Sequence, residues 1–371
     1  MKLMLLIALF FLQNSYAFER YFYQSSQGQH IIVTYPESGK WVLEEFLVKP
    51  GKLQEKIVSK FFSSEKNLLK HKDSFYKKTN FQKDIRTHYF NSSEVTNSSI
   101  WKVTEHWDLN WEKKYSQWVD SEFDKNFFVK YNVATDCADV AFALRWIFSR
   151  INGLPAANTL AGSHIIFSHE SLKKEWQSLP THTEWHKDLR FLAGLNYLLS
   201  NAFTGTLNID GYPIEITTDA FNVGTIHLLG GHTQIISKID TSGDTAPIWK
   251  LSSTVPMKVR VLFEELMLDQ TPTAQAYGGL FHMRWPSKES GTWKLIAKEK
   301  MPYYSIEQYG SDFIGNSGSF TLAIIDRLNI PFNPKAVIKN AATTLVEMIK
   351  SRVDIVRDGH KYCSAADCRE G

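Results

Sequence analysis

Sulfur, strong charge and long apolar runs are all scarce in this chain. Only three of its 371 residues are cysteine (Cys137, Cys363 and Cys368), so a small disulfide-stapled scaffold is excluded. Formal net charge is +3, from 42 basic and 39 acidic residues. Lysines gather between Lys49 and Lys83, but aromatic and acidic residues interleave them. That pattern reads as a solvated surface with at most mild affinity for an anionic wall or membrane, and it excludes a nucleic-acid signature. Beyond the first residues, no stretch is long and apolar enough to span a bilayer, so no integral membrane segment is expected after processing. No internal repeat or low-complexity tract is present, and neither a cofactor nor a resident metal is expected.

The chain is 43% hydrophobic and 22% charged, which is ordinary globular composition with length for one or two domains. Met1-Lys2 followed by the apolar run Leu3 to Leu12 and the small-x-small pattern of Ser15-Tyr16-Ala17 reads as a secretory signal peptide over residues 1–17. An exported protein, periplasmic or secreted, is therefore expected. Residues 18–104 begin with alternating segments such as Gln29 to Tyr35 and Trp41 to Val48, the mark of a β-rich segment. Residues 60–100 are rich in Lys and Ser and poorly periodic. From His106 to Val129, aromatic residues recur at three- to four-residue spacing, which predicts a helix packed on the core.

The chemistry-bearing stretch is Thr135-Asp136-Cys137-Ala138-Asp139, which leads into the apolar run Val140 to Phe148. It predicts a helix with a cysteine in its first turn, stopped near Asn152-Gly153-Leu154-Pro155. A helix N-terminus favours negative charge, so a thiol there is biased towards the nucleophilic thiolate. Cys363 and Cys368 lie five apart in a polar tail and can pair with each other, which leaves Cys137 free. The bland alternative is a small buried apolar residue. Later in the chain, Glu184 to Ser200 predicts a helix. Strands are expected over Thr204 to Asn208, Tyr212 to Ile216, Val223 to Leu229, His232 to Ile239 and Ile248 to Thr254. Strand and loop are expected over Lys258 to Leu268, and a hairpin over Gly279 to Trp285 and Thr292 to Ala297. Two helices close the chain, Ser319 to Leu328 and one from Pro334 to about Val356, the latter capped by Asn333. His232, at the start of its strand behind Gly230-Gly231, is the candidate base for the Cys137 thiol. The glycines would let the chain turn and a substrate backbone pass close by.

Thr135-Asp-Cys-Ala-Asp-Val-Ala-Phe resembles the Asp-Cys-Ser-Gly-Phe segment of the NlpC-type cell-wall endopeptidases, within the papain-like superfamily. Val223-Gly-Thr-Ile-His-Leu-Leu resembles their Pro-Gly-Asp-Leu-Val-Phe-Phe strand, and Gly231-His-Thr-Gln-Ile-Ile their Gly-His-Val-Gly-Ile-Tyr strand. The three motifs occur in the family's order over roughly residues 130–255. Two positions depart from the pattern: Asp139 replaces the family's Gly and Thr225 its strand Asp. The resemblance implies hydrolysis of a peptide or amide bond in peptidoglycan, with Cys137 as nucleophile and His232 as base. It places the group that orients the imidazole on the next strand, where Ser252 is the first choice and Ser253 and Asp244 are fallbacks. It also suggests two oxyanion donors, the Cys137 N–H and the upstream Tyr131 hydroxyl.

The expected fold is α+β: a papain-like core over 105–255, its antiparallel sheet packed on the Cys137 helix, with a helical insertion at about 156–203. The β-rich segment precedes this core, and a C-terminal extension over 256–371 follows it. Trp249-Lys-Leu-Ser-Ser-Thr also resembles the Trp-x-x-Leu-Asp-Pro-Thr strand of transglutaminase-like proteins, which keeps acyl transfer open. A zinc site at His182-Thr-Glu-Trp-His186 is the runner-up chemistry, since two imidazoles one helical turn apart can chelate. A wall-binding or assembly protein that keeps the shell without turnover is the alternative from another class.

Overall fold

The computed structural model describes residues 19–362 apart from 26–27, 38–39, 49–54, 76–81, 84–95, 97, 162–165, 230, 256, 268–271 and 273–277. The expected signal peptide and the Cys363–Cys368 pair lie outside the described residues. The chain divides into two compact units, residues 1–94 with 348–371, and residues 95–347.

In the first unit, strands β1 (Glu19–Ser25), β2 (Gly28–Glu37), β3 (Lys40–Val48) and β4 (Glu55–Phe62) form an antiparallel meander, with a short β5 (Gln82–Lys83) on the far edge of β1. Period-two alternation buries Ile32 and Leu43 on one face, where they meet Leu68. Leu68 belongs to helix α1 (Glu65–Phe75). That helix forms inside the poorly periodic Lys- and Ser-rich stretch, where the Ser64 hydroxyl accepts from the Asn67 N–H at 3.3 Å as an N-cap does.

The second unit is built around a single buried helix. It opens with α2 (Leu109–Glu122) and the short α3 (Phe127–Lys130), followed by the central helix α4 (Cys137–Asn152). Every residue of α4 from Ala138 to Ser149 is buried. A helix covered on all sides is a core element, consistent with its Ala, Val, Phe, Leu, Trp and Ile content. Its start is fixed by a capping box in which Asp136 Oδ1 accepts from the N–H groups of Ala138 and Asp139, while Asp139 Oδ2 accepts from the Asp136 N–H at 2.8 Å. Its end is the left-handed Gly153, at φ +65°. Arg145, a charge within this apolar helix, is balanced by both carboxylate oxygens of Glu112, and its guanidinium lies 3.3 Å from the Trp107 ring centroid.

Next come a small hairpin, β6 (Ala157–Thr159) and β7 (Ile166–Ser168), and the helices α5 (Leu189–Asn201) and α6 (Thr204–Asp210). The α6 segment corrects the strand expected over Thr204 to Asn208. The Phe203 N–H donates to Thr206 Oγ1 at 3.0 Å, and this local cap starts a helical turn where alternation alone suggested a strand.

Strands β8 (Gly211–Pro213), β9 (Ile226–Leu229), β10 (His232–Ile239), β11 (Ile248–Ser252), β12 (Phe263–Leu266) and β13 (Gly278–Met283) make one antiparallel sheet in the order β12-β11-β10-β9-β13-β8. The hairpin expected from Gly279 onward is displaced. β13 pairs with β9 and β8 inside the large sheet, and β14 (Pro286–Glu289) is the strand that pairs with β15 (Thr292–Leu295). Helix α7 (Phe320–Arg327) adds Phe320 and Ile324 to a core shared with Tyr212, Ile236 and Leu280 of the sheet. Helix α8 (Pro334–Tyr362) starts where expected, with Asn333 Oδ1 accepting from the N–H groups of Lys335 and Ala336. The fold class is therefore α+β, with antiparallel sheets and a central helix against the largest of them.

Candidate functional site

Cys137 is the first residue of α4, and α4 packs against β10, whose first residue is His232. The interactions of the sulfur bracket His232 along the chain. Cys137 Sγ lies 3.8 Å from Thr204 Oγ1, and that hydroxyl donates to the Gly231 carbonyl at 3.2 Å. On the other side of His232, the Thr233 main chain favours the ionised form of the sulfur, although no formed hydrogen bond joins them among the described residues. Among the described residues, no hydrogen bond joins Cys137 to the His232 ring itself. Gly231 sits at φ +99° with open space where a Cβ would point. Its neighbour Gly230 lies outside the described residues.

The electrostatics of the thiol correct the expectation drawn from the helix N-terminus. Burial, followed by the charge of Asp136, pushes the Cys137 thiol up to about 11, and Asp139 adds to the effect; the Thr204 hydroxyl and the Thr233 main chain pull the other way. The reason is local. The same capping box that starts the helix places two carboxylates around the sulfur and takes up the Ala138 and Asp139 N–H groups. The resting sulfur is thus a thiol at neutral pH. His232 is also disfavoured as a cation. Burial lowers its pKa, Glu265 raises it, Lys250 lowers it and Asp136 raises it.

A polar ladder lies on the His232 face of the sheet. His232 and Gln234 are two apart on β10 and share a face. Gln234 stands opposite His227 of β9, and Lys250 of β11 stands opposite both Ile236 and Glu265 of β12. Lys250 Nζ donates to Gln234 Oε1 at 2.7 Å, and Gln234 Nε2 donates to Glu265 Oε2 at 2.5 Å. Lys250 is only 2% exposed, and burial lowers its pKa to about 8. His227 is fully buried. The Gln234 side chain interacts with its ring without reaching the geometry of a formed hydrogen bond, and burial together with Lys250 lowers its pKa to about 3.

The other sequence candidates fall as follows. Ser252 is buried on β11 opposite Phe263, and among the described residues no hydrogen bond links it to His232. Ser253 is buried and donates to the Thr135 carbonyl at 2.9 Å, anchoring the approach to Cys137. Asp244 is exposed in the turn organised by Asp240 and Ser242. Tyr131 packs its ring against Phe127, Trp185 and His186 at centroid distances of 5.1, 4.8 and 5.0 Å, and Lys130 Nζ lies 4.8 Å from the centroid of that ring. His182 and His186 are not one turn apart on a helix. They flank Glu184 at a 3-10 turn, where His182 Nδ1 accepts from the Glu184 N–H at 3.0 Å. Among the described residues, no group of three or more His, Cys, Asp or Glu side chains is arranged to hold a metal ion.

Sequence reasoning missed Thr204, Gln234, Lys250 and Glu265. The signal for Glu265 was the pair of acids in Phe263-Glu-Glu-Leu266, a strand whose neighbours are apolar. Thr204 carried no signal, because its stretch read as a strand. Comparison with protein-family models, with curated proteins and with solved structures finds no match to this chain.

Proposed function

We propose that this protein is an exported papain-like cysteine hydrolase that cleaves a peptide or amide bond, with peptidoglycan as its substrate, through Cys137 and His232. The observation that carries the reading is the contact of the Cys137 sulfur with Thr204, whose hydroxyl donates to the residue directly before His232, at the start of a buried helix packed on the His232 strand. The three ordered motifs that resemble the NlpC-type endopeptidases supply the substrate class.

In the attack step, the Cys137 sulfur bonds to the scissile carbonyl carbon as its proton passes to the His232 ring. The imidazolium returns that proton to the leaving amine, and water then releases the acyl group with His232 as base. A protonated thiol beside a neutral imidazole makes this general-base activation rather than a preformed ion pair. Hydrogen bonds between catalytic groups commonly tighten only when substrate arrives. The Cys137 N–H is the oxyanion donor left at the helix start, since Asp136 takes those of Ala138 and Asp139.

Purified sacculi incubated with wild type and with Cys137→Ala test the reading. Muropeptides released by wild type alone support it, and identical profiles contradict it. The raised thiol pKa and the unjoined Cys137–His232 pair favour a second reading, a wall-binding protein without turnover. That protein would sediment with sacculi in both forms and release nothing.

A further inference from the structure

We propose that Glu265, held by the Gln234 amide that Lys250 holds in turn on the His232 face of the sheet, is the positioning residue that fills the third place behind the His232 imidazole. The inference rests on the cysteine-hydrolase reading for its catalytic consequence, and on the geometry of the ladder for its location. Ser252, on the neighbouring strand, occupies the place where an orienting group was expected from sequence. The carboxylate lies one strand further out, on β12, opposite Lys250. Gln234 Nε2 donates to Glu265 Oε2 and Lys250 Nζ donates to Gln234 Oε1, so the amide is held at both ends and cannot turn without breaking one contact. Gln234 in turn stands two residues from His232 on the same face.

Two charges of opposite sign, the buried Lys250 and the half-buried Glu265, therefore act on one imidazole. Glu265 favours the imidazolium that forms when the thiol proton is taken, and Lys250 opposes it. Among the described residues, His227 from β9 and Asp136 at the start of α4 also interact electrostatically with His232. Burial and Lys250 keep His227 neutral across the working pH range. Asp136 acts in the same direction as Glu265 but is tied into the helix cap. Because Lys250 and Gln234 are buried and Glu265 is half-buried, these charges are screened less than fully exposed pairs would be.

The test uses the full chain. The His232 ring is followed by NMR in protein labelled at histidine, assigned with His232→Gln, in wild type, Glu265→Gln, Glu265→Asp and Lys250→Met. The expected result is a downward move of the His232 titration in Glu265→Gln, an upward move in Lys250→Met, and a value near wild type in Glu265→Asp. In parallel, kcat/KM on soluble muropeptides should fall roughly 10- to 100-fold in Glu265→Gln with its acid limb displaced. That loss stays short of the ~10⁴-fold seen when a directly bonded triad carboxylate is neutralised. Glu265→Asp should recover most of the activity. His232 titrations that coincide in all four proteins, or move the same way in Glu265→Gln and Lys250→Met, overturn the inference. If Glu265→Gln does not fold, Glu265→Ala in the same titration decides it: a downward move of His232 supports the inference and an unmoved titration overturns it. Absence of Cys137-dependent cleavage in wild type would instead overturn the hydrolase reading, and the titrations would still report on the ladder.

Discussion

Thr204 Oγ1 stands 3.8 Å from Cys137 Sγ and donates to the carbonyl of Gly231, so one hydroxyl ties the sulfur to the residue directly before His232. The link joins α4, α6 and the mouth of β10. Turned from that carbonyl towards the sulfur, the same hydroxyl proton draws the thiol towards ionisation, against burial and two carboxylates.

Replacing Thr204 by Val removes that contact while keeping the side-chain shape. The thiol should then titrate at still higher pH, so iodoacetamide alkylation of Cys137, followed by peptide mass spectrometry at fixed pH 9, should slow several-fold. An unchanged alkylation rate would show that the hydroxyl does not act on the sulfur.

Asp136→Asn should act in the opposite direction. Asn caps helices about as well as Asp, so α4 keeps its start while a negative charge beside the sulfur disappears. In wild type, the pH profile of Cys137 alkylation should have its midpoint near 11, well above a free thiol at about 8.5. In Asp136→Asn, the midpoint should move towards neutral pH. A wild-type midpoint at or below that of a free thiol would show that the helix N-terminus, and not the capping carboxylates, governs the sulfur.

That contest explains what was legible beforehand. Asp136, Cys137 and Asp139 could be read as a helix start, and they form one. The same letters did not show that both carboxylates would act on a half-buried sulfur, because burial and charge distance are tertiary quantities. Strand β10 was readable from His232 to Ile239 by alternation alone. The placing of Gly278–Met283 beside β9 was not, since nothing local to those residues names their partner across some fifty positions. The orienting group was sought on the adjacent strand at Ser252. The face shared by Gln234, Lys250 and Glu265 emerged only from the register of three strands.

Lys250 makes the stability of the fold depend on pH in a definite direction. Its pKa falls from 10.5 to about 8 in the folded protein. Between those values the unfolded chain holds a proton that the folded chain has released, so stability rises with pH across that window. Below about 8 the full penalty is present, on the order of 3 kcal/mol for a shift of this size. Urea unfolding at pH 7 and pH 10 should show wild type gaining stability relative to Lys250→Met on going to the higher pH. A difference between the two proteins that is constant with pH would contradict this.

Glu112 is a structural counterpart to the ladder. It receives Arg145 from α4 through both oxygens and the Trp285 indole N–H at 2.5 Å. Removing one member of a buried pair leaves the other charge uncompensated, so Glu112→Gln should lower unfolding free energy by about 3 kcal/mol or more. Chemical denaturation reads this directly, and a loss under about 1 kcal/mol would mean that Arg145 finds another partner or water.

The central claim is that Cys137 and His232 act as one catalytic unit. Its most direct test compares the rate of bond cleavage in soluble muropeptides by wild type, Cys137→Ala, His232→Ala and the double variant. Groups that act as a unit lose activity non-additively. Each single variant should therefore fall by about 10³-fold or more, and the double variant should be no slower than either. A His232→Ala protein that cleaves within a few-fold of wild type, or a Cys137→Ala protein that cleaves at all comparably, would contradict the account.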